Sequence, residues 1–204
     1  MLQVKSQYKI AKRLGAAVFE KTQSQKFALS DARVKKTKKP CRGGGSDYGR
    51  QLLEKQKVRF TYGLSEKQLS KYAAKSFAQP NPSDALHKEL EMRADMASYQ
   101  AGLASTRRAG RQMVSHGHIT VNGRRITTPS YRVKIGVVIA VREGSRKSQL
   151  FASLVDENKE NRRAVPQWIT TDIQLLKAEI TGEPTYVAAE SGLDYATLFE
   201  FYSR

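Results

Sequence analysis

Arg107 and Arg111 stand one helical turn apart, with Ser115 a turn further on and Arg108 adjacent. Guanidinium forks on one helix face match phosphate oxygens bidentately. Thr106, just ahead, is a helix-capping residue, and a helix N-terminus is itself an anion site. A predicted hairpin then adds Asn122, Arg124 and Arg125, with Arg132 and Lys134 beyond it. No Asp or Glu occurs between Asp95 and Glu143. A surface facing phosphates excludes carboxylates, so this acid-free stretch is the strongest electrostatic signal in the chain.

Other chemistries find less support. His116 and His118 sit two apart in cationic surroundings with no third ligand, which argues against a metal site. Cys41 is the only cysteine and has no placed histidine partner, so neither a disulfide nor a thiol nucleophile is expected. The glycines of Cys41–Gly45 lack the Gly-Lys-Ser/Thr of a nucleotide loop. The arginine-rich stretch has no carboxylate pair for acid–base work. The expectation is no catalytic residue, no metal and no cofactor.

Charge gives the wider frame. The 204 residues carry 36 Lys+Arg against 19 Asp+Glu, a formal +17. Residues 1–63 hold net +12, residues 64–104 are neutral, 105–152 hold +9 and 153–204 hold −4. Two basic blocks imply two polyanion-facing surfaces, and the acidic tail suits protein neighbours or solvent. With 39% hydrophobic residues the chain is too apolar to be wholly disordered. Its longest apolar run, Val137–Val141, is far too short to cross a bilayer, and no membrane partner is expected.

Elements must place these residues. Residues 1–45 show weak periodicity and read as a basic extended arm, ordered by a partner and unstructured without one. Ser46 caps a helix that ends at Gly63. Ser65 and Gln68 form a capping box, with Leu64 and Leu69 at the hydrophobic-staple positions. After Pro80 and Pro82, Ser83 caps a helix running through Leu86, Leu90, Ala94, Ala97 and Ala101 to Gly102. Thr106 caps a short helix, Arg107–Ser115, with Gly117 as its left-handed stop. Ile119–Val121, Asn122-Gly123 and Arg124–Ile126 form a tight hairpin, and Val137–Val141 adds a strand. Residues 153–165 are charged and either helical or mobile. Short strands follow from Pro166 to Val187, turning at Gly182 and Pro184, and Leu193–Tyr202 closes the chain as an amphipathic helix.

Arg93 and the run Thr106–Gly123 resemble the signature of the S-four RNA-binding domain. Ser46–Gln68 is similar to the N-terminal helical domain of the ribosomal protein S-four family, and the Tyr202-Ser-Arg204 ending and the length fit as well. The resemblance implies an α+β chain. A helical domain at 46–90, closed by about 188–204, joins an α+β domain at 91–187 that holds the module (about 91–152) and a short mixed sheet. It implies a non-enzymatic, primary binder of small-subunit rRNA that nucleates the 5′ domain beside S-three- and S-five-type proteins, near where mRNA enters. The layout fits a bacterial or organelle-encoded protein, hence the ribosome of the cytoplasm, stroma or matrix. The implied rRNA contacts are Arg93, Thr106, Arg107, Arg108, Arg111, Ser115, His116, Asn122 and Arg124 in the module. In the helical domain they are Arg42, Ser46, Asp47, Tyr48, Gly49, Arg50, Gln51, Lys55, Lys57 and Arg59. Replacing Arg107 and Arg111 with glutamate is expected to weaken binding and leave the fold intact. Three positions depart from the family pattern: Ala94 for leucine, Gly110 for alanine, and Val137 for an acidic turn residue.

Overall fold

The computed structural model describes residues 4, 6–37, 46–156 and 164–204. Helices α1 (Gln7–Leu14) and α2 (Gln25–Thr37) flank two short 3-10 turns. Helices α3 (Asp47–Thr61), α4 (Glu66–Phe77), α5 (Pro82–Glu91), α6 (Ala94–Gln100) and α7 (Arg107–Ser115) follow. Next come β1 (Ile119–Val121), β2 (Arg124–Arg125), β3 (Val138–Val141), α8 (Glu143–Arg146) and α9 (Gln149–Asp156). Strands β4 (Ile169–Asp172) and β5 (Lys177–Ile180) and helices α10 (Ala188–Ser191) and α11 (Tyr195–Tyr202) complete the chain. No helix among the described residues is long and apolar enough to cross a membrane.

The chain divides into two compact units, residues 1–86 with 186–204, and residues 87–185. In the first, Ser46 caps α3 by accepting from the Gly49 amide at 3.2 Å, and Ser65 and Gln68 form the expected capping box on α4. Asp194 caps α11, which packs on α3 and α4 and buries Leu198 and Phe199. In the second unit a five-stranded sheet of order β2-β1-β3-β5-β4 carries the core of Ile119, Val133, Ile139, Val141, Phe151 and Ile180.

Four expectations change. Within residues 1–45, taken as an extended arm, α1 and α2 are helical, and Ala11, Leu14, Val18, Phe19 and Phe27 form a small buried core against which Leu53 and Phe60 of α3 pack. Every strand pairing is antiparallel, so the α+β class holds but the sheet is not mixed. The helix expected over 83–102 is two helices, broken at Met92 and Arg93. There the chain is extended and pairs with residues 129–133: Arg93 bridges Arg132, and the Ala94 amide donates to the Tyr131 carbonyl at 2.8 Å. The residues of the 86/90/94/97/101 apolar spacing are all buried, although the break falls between Leu90 and Ala94. Finally, the β4–β5 turn lies at Ile173–Leu176, not at Gly182 or Pro184. Asp172 accepts from the Leu175 amide at 3.1 Å, and Leu176 adopts a left-handed φ of 49°. An aspartate-initiated turn supplies what glycine or proline otherwise would.

Candidate nucleic-acid interface

The second unit builds its arginine face on α7. Thr106 caps it, its Oγ1 accepting from the Ala109 amide at 3.1 Å, and the half-exposed first turn carries the positive end of the helix dipole. Helix α6 runs against α7, and their side chains pair in register. Arg107 lays its guanidinium 4.7 Å over the Tyr99 ring, and Arg111 approaches the Asp95 carboxylate at 3.9 Å. Asp95 and Tyr99 are one turn apart on α6, as are Arg107 and Arg111 on α7.

Asp95 is fully buried and anchors this arrangement. Its two oxygens accept from Arg93 Nε at 3.0 Å and Nη2 at 2.7 Å, and Oδ1 also takes the Met96 amide. Arg93 is 1% exposed, so its guanidinium faces the interior rather than solvent. Its guanidinium neutralises a buried carboxylate, a role the motif did not announce. Arg111 is mostly enclosed beside the same carboxylate. A glutamate there would meet Asp95, so the Arg107/Arg111 reversal expected to spare the fold does not separate binding from folding.

Gly110 explains itself in this geometry. A Cβ added there would lie 2.7 Å from the Asp95 carbonyl oxygen, with Ala104 and Tyr99 close behind. The departure from alanine is what lets α6 and α7 approach. Gly110→Ala should gain ~1 kcal/mol of helix propensity yet lose ~1–3 kcal/mol to overpacking against backbone. Thermal unfolding is expected to show a lower Tm, and a higher one would mean the two helices separate freely.

The hairpin carries the outer edge of the face. Asn122 (φ 48°) and Gly123 (φ 79°) are both left-handed, as an Asn-Gly hairpin turn requires. The Asn122 side chain accepts from the Val138 amide at 2.8 Å, so it holds the turn to β3. Arg125 donates to the His116 carbonyl at 3.1 Å and lies across Gly117. Ser115 donates to the Arg111 carbonyl of its own helix. His118 meets Ser145 Oγ at 2.9 Å and the edge of Phe151. His116 and Arg124 are exposed, and Arg108 is half-exposed. Arg132, also exposed, is paired with Glu89 at 2.6 Å.

In the first unit the candidate residues separate by face. Asp47 and Arg50 form an exposed ion pair at 2.6 Å, which contributes little to stability. Tyr48 is half-exposed with its ring 5.8 Å from Phe201. Lys57 pairs with Glu54. Gln51 and Lys55, expected as RNA contacts, are buried and turned inward. Gln51 donates to Glu200 at 3.1 Å, and Lys55 donates to Glu66 at 3.0 Å while lying 4.3 Å over the Phe201 ring. Glu66 also accepts from Tyr202 at 2.9 Å, and Arg59 stands 3.9 Å away. Burial alone would raise the Glu66 pKa; the hydrogen bonds from Lys55 and Tyr202 and the two cations bring it below the ordinary value. Burial and the Glu66 carboxylate together drive the Tyr202 hydroxyl far above its usual range. This cluster ties α11 to α3 and α4. Arg42 lies outside the described residues.

The sequence reading did not single out Asp95, Tyr99, Glu66 or Glu200 as partners. The Arg-x-Asp spacing at 93–95 was the one available signal for the first. Among the described residues no group of three or more His, Cys, Asp or Glu is arranged to hold a metal ion.

Comparison with known proteins matches this architecture. Residues 92–139 match the S4 domain family, and residues 4–110 match the Ribosomal protein S4/S9 N-terminal domain family. The small ribosomal subunit protein uS4 of Roseiflexus castenholzii is 39% identical over 197 residues, 96% of each chain. That of Chloroflexus aurantiacus is 38% identical over the same span and coverage. The Halalkalibacterium halodurans protein of that name is 38% identical over 205 residues, covering 97% of this chain and 96% of its own. With both units matched and relatives similar almost from end to end, the chain belongs to the small ribosomal subunit protein uS4 family.

Proposed function

We infer that this chain is a structural, non-catalytic constituent of the small ribosomal subunit that binds small-subunit rRNA through its second unit. In the finer reading it binds early and nucleates the 5′ domain, beside S-three- and S-five-type neighbours, close to where mRNA enters. The observation that carries the reading is electrostatic. From Met96 to Arg142 there is no acidic residue, and the flanking Asp95 is buried and neutralised by Arg93. The face with Arg108, Arg124, Arg125 and the α7 N-terminus therefore presents cations without a competing carboxylate of its own. Such a face binds a phosphate backbone by counterion release.

Filter binding of a small-subunit 5′-domain rRNA transcript across a salt series tests it. If about six phosphates are neutralised, affinity should drop roughly 10³-fold between 50 and 200 mM salt. Affinity independent of salt would overturn the reading, and so would turnover of rRNA uridines to an isomerised product by the purified chain.

A further inference from the structure

Asn122 is the only asparagine in the chain that precedes a glycine, and it sits at the tip of the β1–β2 hairpin. The pair carries a chemistry of its own. Where the following residue has no side chain, its backbone nitrogen can approach the asparagine carboxamide unhindered. In that step the Gly123 nitrogen bonds to Asn122 Cγ, and the carboxamide nitrogen leaves as ammonia with the proton that Gly123 gives up. A five-membered succinimide remains. Water then adds to one of the two imide carbonyls, leaving either aspartate or an isoaspartate whose backbone runs through Cβ.

The fold withholds the geometry this step needs. Ring closure requires the Gly123 nitrogen and Asn122 Cβ on the same side of the Cα–C bond. Asn122 has a left-handed φ of 48°. A residue in that region has ψ of about +30 to +60°, which turns the next nitrogen almost opposite Cβ. The carboxamide is held as well. The Asn122 amide donates to the Val138 carbonyl at 2.8 Å, and Asn122 Oδ1 accepts from the Val138 amide at 2.8 Å. Both contacts go to one residue of β3, so backbone and side chain must leave it before Cγ can swing toward Gly123. Exclusion of water plays no part: Asn122 and Gly123 are both exposed, and the space beside Gly123 is open.

We propose that Asn122-Gly123 is a self-modification site gated by the fold, inert in the closed hairpin and converted to isoaspartate and aspartate while the hairpin is open. The product changes the chain. It places a carboxylate in the stretch from Met96 to Arg142, which otherwise has no acidic residue. Isoaspartate also lengthens the two-residue loop by one backbone carbon, which a tight turn with both residues left-handed cannot absorb. Arg124 and Arg125 follow directly and lose their fixed place. A chain that has spent time unfolded is thereby marked and weakened as a polyanion binder. That consequence rests on the rRNA-binding reading above; the gated chemistry does not.

The test incubates the full chain in mildly alkaline buffer, native and in guanidinium. The tryptic peptide Gln112–Arg124 is then mapped by mass spectrometry and by an isoaspartyl methyltransferase assay. Unfolded chain should convert at Asn122 with isoaspartate as the major product. Native chain should convert on the order of 30-fold or more slowly, since only the opened fraction of the hairpin reacts. Unfolded chain that keeps Asn122 intact overturns the site, and native chain that converts as fast as unfolded chain overturns the gate. Converted chain should refold by circular dichroism and bind the 5′-domain transcript roughly 5- to 30-fold more weakly than mock-treated chain at physiological salt. Failure to refold overturns a change confined to the hairpin tip, and undiminished binding overturns the weakening. Asn122→Gln should bind alike before and after the same treatment; a loss there assigns the weakening to another residue. Mock-treated chain that binds no transcript overturns the rRNA reading, and the site and its gate are then decided by the mapping.

Discussion

Asp95→Ala is expected to lower the unfolding free energy by about 3–5 kcal/mol. The reason is asymmetry. Arg93 is 1% exposed and directs two guanidinium nitrogens at this carboxylate. Removing Asp95 leaves that charge buried without its main counter-ion. It also strips an acceptor from the Met96 amide and an anion from beside Arg111. Urea unfolding followed by far-ultraviolet circular dichroism measures the loss. The double variant Arg93→Met/Asp95→Ala should recover a large part of it, because replacing both members of a buried pair removes the uncompensated charge. A loss under about 1 kcal/mol for Asp95→Ala would mean that water reaches Arg93 and the pair is not truly desolvated.

The same pair shows which features could be read from the chain alone. Local signals transferred well. The Ser46, Ser65 and Thr106 caps, the capping box and the Asn122-Gly123 turn all involve residues within four positions of one another, where spacing dictates geometry. Non-local pairings did not. The break at Met92–Arg93 depends on backbone partners near residue 131, and no propensity in 83–102 announces it. The inward turn of Lys55 depends on Glu66 and on Phe201 at the far end of the chain. Family resemblance carried Arg93, Gln51 and Lys55 over as contacts because a motif gives residue type and position but not burial. Charge counting sums side chains at 64–104 that the fold then treats differently: Glu91, Arg93 and Asp95 are buried, while Asp84, Lys67, Lys71 and Lys75 are exposed. The β4–β5 turn escaped because Ile173–Leu176 contains neither glycine nor proline.

Separating binding from folding in the module therefore requires cations that the fold does not use internally. Arg108 is half-exposed on α7 and Arg124 is exposed on β2. Arg111→Glu, by contrast, would set a second carboxylate beside Asp95 and weaken the α6–α7 contact along with any RNA contact. The double variant Arg108→Glu/Arg124→Glu is expected to keep its urea midpoint within what ~0.5 kcal/mol produces, as surface substitutions generally do. Its affinity for 5′-domain rRNA should nevertheless fall by roughly 30- to 100-fold at 150 mM salt, with about 1.5 units lost from the log–log slope. Loss of slope identifies phosphate contact, because an indirect packing effect lowers affinity equally at every salt concentration. Wild-type slope in a correctly folded double variant would remove Arg108 and Arg124 from the interface and move the RNA to another face of the unit.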